Sequence, residues 1–142
     1  MLIREDVLSD VASMFCGVRI EVRFSFSLYS KGRTSVIGQA SWPDSGRLIE
    51  LSTNMCGCDW VEIFAHEVGH HACAHVPRPG RECVFNNFEE QKAARENLDS
   101  ITERERDAIR RGEKNEDEAW AWAKEYKQAI FAAIEIATAE KY

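Results

Sequence analysis

The spacing of apolar side chains changes once near the start of the chain, at Gly17, and the two sides of that change demand different elements. Before it, Ile3, Val7, Leu8, Val11, Met14 and Phe15 recur at the three- and four-residue intervals of one helical face. After it, Val18, Ile20, Val22, Phe24, Phe26 and Leu28 alternate with Arg19, Glu21, Arg23, Ser25 and Ser27. A period of two places those apolar groups on one side of an extended strand. The chain therefore opens with a helix over residues 3–15, a glycine cap at Gly17, and a strand. Ser30-Lys31-Gly32-Arg33 reads as a hairpin turn into a second strand over residues 34–41. Pro43-Asp44-Ser45-Gly46 reads as another turn, into a short third strand over residues 47–52. Connections this short predict a three-stranded antiparallel meander.

The remainder reads as helical. Asp59 is placed to cap a helix from Trp60 to His75, with Glu62 completing a capping box and Pro77, Pro79 and Gly80 ending it. Ser100 with Glu103 reads as a second capping box and Gly112 as a stop, after which Asn115 caps a final helix from Glu116. Residues 88–111, rich in Glu, Arg and Lys, suit a solvated helical surface. The order α-βββ-α-α-α groups strands and helices separately, which defines an α+β class. A length of 142 residues, with no internal repeat or low-complexity linker, predicts a single domain over 1–142.

Composition narrows the function. With 24 acidic against 18 basic residues the net charge is −6, opposite to the basic stripe of a nucleic-acid surface. Met1-Leu2-Ile3-Arg4-Glu5-Asp6 is charged at once and lacks the apolar run of a signal peptide. No stretch approaches the roughly 20 apolar residues of a membrane span. The odd count of five cysteines then predicts reduced thiols and a cytoplasmic location. Neither nucleic acid nor membrane is expected as a partner.

Chemistry concentrates in His66-Glu67-Val68-Gly69-His70. At about 100° per residue, imidazoles four positions apart lie on one face one turn apart, the spacing that presents two nitrogens to one zinc ion. Glu67, roughly 100° round from His66, borders the same face and is placed to act on a water as general base. Val61, Phe64, Val68 and Ala72 form the opposite, core-facing side, and Gly69 would let a strand or substrate backbone approach closely.

Catalytic zinc takes a third protein ligand. Glu116 begins a helical stripe continued by Ala119, Trp120, Ala123, Tyr126, Ile130, Phe131, Ile134 and Ala137, so it is the first choice. Glu118, on the side carrying Glu125, Gln128 and Glu135, is the alternative. His71 and His75 form a second i,i+4 pair on the back of the helix, read as a polar fringe or a further metal site. Cys56-Gly57-Cys58, with Cys73 and Cys83, lacks the spacing of a structural zinc site. Trp60, Trp120 and Trp122 read as core, and Tyr126 or an arginine as an oxyanion partner.

Phe64-Ala65-His66-Glu67-Val68-Gly69-His70-His71, with Glu116-Asp117-Glu118-Ala119-Trp120-Ala121-Trp122-Ala123 downstream, resembles the ImmA/IrrE group of zincin metallopeptidases. That family pairs an HExxH helix with an E-x-x-A-N-x-F-A helix; Trp120 stands where it has Asn and Trp122 where it has Phe. The resemblance implies a minimal zincin-like domain and a bacterial or phage-encoded intracellular protease. It further implies Zn2+ held by His66, His70 and Glu116, a zinc-activated water with Glu67 as base, and a protein substrate such as a repressor-like regulator. An extended substrate is expected to pair with an edge of the meander over residues 47–52. The competing expectation is a zinc-binding sensor or interaction module on the same fold without turnover.

Overall fold

The computed structural model describes residues 4–25, 38–53, 59–81, 83–85 and 88–141. In chain order the elements are α1 (Glu5–Cys16), β1 (Ile20–Ser25), β2 (Gly38–Ser41), β3 (Arg47–Ser52), α2 (Trp60–Ala72), α3 (Phe88–Glu96) and α4 (Glu103–Lys141). The class is α+β. Ile3, Phe26, Leu28 and the turn expected at residues 30–33 lie outside the described residues.

In α1 the apolar stripe buries Val7, Leu8, Val11 and Ala12, and Gly17 at φ +71° closes the helix with its N–H on the Ser13 carbonyl. Met14, expected on that stripe, is instead 64% exposed. The same helix also covers one edge of the sheet. Ser13 Oγ accepts from the Ile20 N–H at 2.9 Å, Ser9 Oγ from Val22 at 2.8 Å and a Glu5 carboxylate oxygen from Phe24 at 2.9 Å. Positions four apart on the helix thus match positions two apart on β1, satisfying donors that an edge strand would leave unpaired.

The antiparallel meander is not formed. The sheet is mixed, in the order β1-β3-β2. β1 runs parallel to β3, from Ile20 opposite Arg47 to Ser25 opposite Ser52. β2 runs antiparallel to β3, from Gly38 opposite Leu51 to Ser41 opposite Leu48. The reason lies in β3 itself. Leu48, Ile49, Leu51 and Ser52 are all buried, on both faces, and a strand covered on both faces belongs in the sheet centre. Residues 47–52 therefore have both edges paired and offer none to a substrate; among the described residues, β2 is the edge strand on that side.

Asp59 caps α2, its carboxylate accepting from the Glu62 N–H at 3.2 Å. Val61, Phe64, Ala65 and Val68 point into the core, whereas Ala72, expected there, is exposed in the helix's last turn. α4 is one continuous helix of 39 residues. Gly112 does not stop it and Asn115 does not cap it. The cap lies earlier and is reciprocal: Thr102 Oγ1 accepts from the Glu105 N–H at 3.2 Å and Glu105 accepts from the Thr102 N–H at 3.1 Å, replacing the Ser100–Glu103 box. One interior glycine costs about 1 kcal/mol, too little to break a helix anchored by buried Ile109 and Ala119 on either side of it.

One core joins α1, β1, β3, α2 and α4, with Leu8, Ile20, Ile49, Leu51, Phe64 and Ile130 completely buried. Among the described residues, no helix is long and apolar enough to cross a membrane.

Candidate metal centre

The site is built where α2 crosses α4. A Cβ at Gly69 would lie 3.1 Å from the Ala119 carbonyl oxygen and 3.3 Å from the Trp122 ring, so the two helices meet almost backbone to backbone. The close neighbour that Gly69 admits is thus α4. That crossing lays the turn of α4 that carries Glu116 and Trp120 beside His66 and His70. Glu116 spans both imidazoles, with one carboxylate oxygen 3.2 Å from His66 Nε2 and the other 3.0 Å from His70 Nε2. The two Nε2 atoms are 3.1 Å apart. One turn on, the Trp120 ring lies over the His66 ring with centroids 3.9 Å apart and planes inclined by 31°. Trp120 is therefore a wall of the site, 43% exposed, and not a core residue. Glu118 reaches neither His66 nor His70 but His75 Nε2, at 2.8 Å.

Glu67 is buried with its stem packed on β2: a Cβ at Gly38 would lie 3.2 Å from Glu67 Cγ. Burial pushes its carboxyl up to about 7, against the pull of His70 and with added repulsion from Glu116. Glu116 is the opposite case. Contact with His66, then with His70, holds it well below the usual carboxylate range, so it is an anion.

The donor atoms of His66, Glu67 and His70 lie within 4.8 Å of one another. Glu67 nevertheless stands 3.9 Å from His66 Nε2, whereas Glu116 lies within 3.2 Å of both imidazoles. The closest trio is thus His66, His70 and Glu116, with Glu67 set back. Ligands of a tetrahedral zinc at about 2.0–2.1 Å are spaced roughly 3.3 Å apart. Contacts of 3.0, 3.1 and 3.2 Å among the trio fit that tetrahedron's edges, and two imidazoles with a carboxylate are a donor set suited to zinc. Glu67 Oε2 is buried without a hydrogen-bond partner among the described residues, an acceptor left available inside the site.

The second histidine pair does not form. His71 is buried, bonds the Leu48 carbonyl at 3.0 Å, and is pushed towards neutrality by burial, so it ties α2 to β3. His75 is not on the back of α2, because α2 ends three residues earlier than its sequence suggests. Ala74 takes φ +58°, its N–H bonds the His71 carbonyl and the His75 N–H bonds the His70 carbonyl, a Schellman closure made without glycine. The chain folds back and sets His75 Nδ1 3.1 Å from His70 Nδ1. Pro77 and Pro79 signalled a stop nearby but not which residue would turn.

Cys16 and Cys73 are free thiols; burial pushes Cys16 up to about 11, leaving it protonated against the Val68 carbonyl. Cys56 and Cys58 lie outside the described residues. Tyr126 packs edge-on to Phe15 and beside Trp122 in an aromatic cluster against the core. A cavity of about 400 Å³ lies apart from the histidines, lined by Arg95, Leu98, Arg106, Ile109, Arg110 and Glu113. Two of its guanidinium groups are already engaged, Arg106 by Leu98 and Glu103 and Arg110 by Asp107.

Comparison with protein-family models, with curated proteins and with solved structures finds no match to the chain.

Proposed function

We propose that this chain is a zinc-dependent peptidase of the zincin type, similar in its two motifs to the ImmA/IrrE group and acting on an intracellular protein such as a repressor-like regulator. One observation carries the reading: a glutamate from a distant helix bridges both imidazoles of an HExxH helix while the motif's own glutamate stands buried beside them. His66, His70 and Glu116 would hold the ion. When bound, zinc supplies a Lewis acid that acidifies water and polarises a peptide carbonyl.

The chain's own residues supply the rest. Glu67, raised to about 7 by burial, is matched to accepting and returning a proton near neutral pH. Gly38 brings the β2 backbone against the Glu67 stem, so a peptide pairing along the outer edge of Gly38–Ser41 would run past that carboxylate. The opposite sheet edge is taken by Glu5, Ser9 and Ser13. Trp120 covers one face of His66 and limits water there. His75 has both ring nitrogens engaged, by His70 and Glu118, which argues against its closing the site as a fourth ligand in a non-catalytic zinc module.

Glu67→Gln removes the base and keeps the shape. It is expected to lower peptide hydrolysis by about 10²–10⁴-fold, while native mass spectrometry still finds one zinc per chain. Hydrolysis at the wild-type rate in that variant would remove Glu67 from the chemistry.

A further inference from the structure

We propose that Glu118 and His75 form a positioning chain that fixes the proton of His70 on Nδ1 and presents its bare Nε2, in one orientation, to the metal site. The inference rests on the zinc reading above and concerns residues that reading does not use.

The donors follow from the partners. Glu118 is a carboxylate on a 44% exposed side chain, and a carboxylate only accepts. His75 Nε2, 2.8 Å away, must therefore donate. A neutral imidazole with its proton on Nε2 has a bare Nδ1. His75 Nδ1 thus accepts, and its neighbour at 3.1 Å, His70 Nδ1, carries the hydrogen. His70 Nε2 is then left as a lone pair, pointed at Glu116 at 3.0 Å.

Two further features agree with this assignment. The His75 side chain is only 6% exposed, so both of its nitrogens need partners inside the protein, and each has one. Its placement also depends on Ala74 in the left-handed region, which a residue with a side chain adopts only at a steric cost. Among the described residues His66 lacks such a chain: its Nδ1 is buried without a partner there, and its ring is held by the Trp120 stack instead. The two ligand imidazoles are thus oriented by different means, one by stacking and one by hydrogen bonds.

The assignment bears on the metal. A bare nitrogen facing a carboxylate at 3.0 Å is an acceptor against an acceptor, which a metal ion between them would relieve. A zinc ligand whose far nitrogen donates to an outer partner is typically held more tightly, and loss of such a partner costs about 10–100-fold in affinity.

The test has two arms. Long-range proton–nitrogen NMR on zinc-free, 15N-histidine-labelled protein should find His70 protonated on Nδ1 and His75 on Nε2. His70 protonated on Nε2 overturns the proposal. In competition with a chromophoric chelator, His75→Leu is expected to bind zinc about 10–100-fold more weakly. His75→Asn, whose amide oxygen can replace Nδ1 as acceptor, should recover part of that loss. Affinities of His75→Leu within twofold of wild type overturn the chain while leaving the zinc site standing; a wild-type protein that binds no zinc overturns the peptidase reading itself. Circular dichroism checks that each variant folds. Should His75→Leu fail to fold, Glu118→Leu, at a 44% exposed side chain, is measured in its place with the same expected direction.

Discussion

Glu67 shows how burial alone can bring a carboxyl close to neutral pH. Its ordinary value of 4.5 becomes about 7, because the charged form loses its hydration and gains little in return. The shift also acts on stability. A carboxyl raised in the folded state favours folding while it is protonated, and that contribution is full below pH 4.5 and lost as pH rises through about 7. The interval of roughly 2.5 units corresponds to about 3 kcal/mol. Metal-free protein is therefore expected to lose about 3 kcal/mol more than its Glu67→Gln variant between pH 4.5 and 8, measured by urea unfolding across that range. Parallel pH profiles for the two proteins would mean that Glu67 is solvated. Zinc should shrink the difference, since a nearby cation favours the carboxylate. Ala74 acts at the same scale: one backbone angle moves His75 from the back of a helix to the side of His70.

At the scale of elements, α4 does more than its sequence suggests. It starts at the Thr102–Glu105 box, passes through Gly112 and carries Glu116, Glu118 and Trp120 past α2 before its buried stripe of Ala119, Ala123, Ile130 and Ile134 joins the core. Continuity matters because Glu116 then sits within a rigid helix on the crossing made at Gly69, and not in a frayed first turn. Gly112 tests that continuity. Among the described residues a Cβ there would meet only Gln91 Nε2, at 3.8 Å, so alanine fits without displacing them. Gly112→Ala is expected to stabilise the protein by about 0.5–1 kcal/mol, seen as a rise of a few degrees in thermal midpoint. A fall would show that the helix breaks there.

For the whole molecule, the site joins two parts of one core. The histidines come from α2 and the Glu116 carboxylate from α4, so an ion held between them would favour the folded chain and leave the unfolded one unaided. Salt links add little at the surface: Lys127 with Asp59 and Glu62, and Lys141 with Asp6 and Asp10, are exposed enough to be screened. With free zinc buffered at about a hundred times the dissociation constant, binding should add about 2.7 kcal/mol to unfolding. Chelation should remove that increment, read as a lower urea midpoint, and Glu116→Ala should make the midpoint indifferent to chelator. Unchanged unfolding of the wild type on chelation would place no ion between α2 and α4.

What could be read from the chain alone is what neighbours in sequence decide. The turn to an extended period after Gly17, the Asp59 cap and the one-turn spacing of His66 and His70 are local, because backbone dihedrals and the helical repeat determine them within a few residues. The α+β class follows from the same local periods. The sheet order did not, since it depends on which segment must be covered on both faces, and β3 displaced the expected meander by needing neighbours on both edges. The distinction between Glu116 and Glu118 was only partly legible: a helical wheel ranks positions, but the crossing at Gly69 settles which carboxylate meets the imidazoles. His75 was misplaced for a related reason. A helix projects its pattern only as far as it runs, and the residue at which α2 ends is chosen by the fold that receives it, where His70 and Glu118 offer both ring nitrogens a partner.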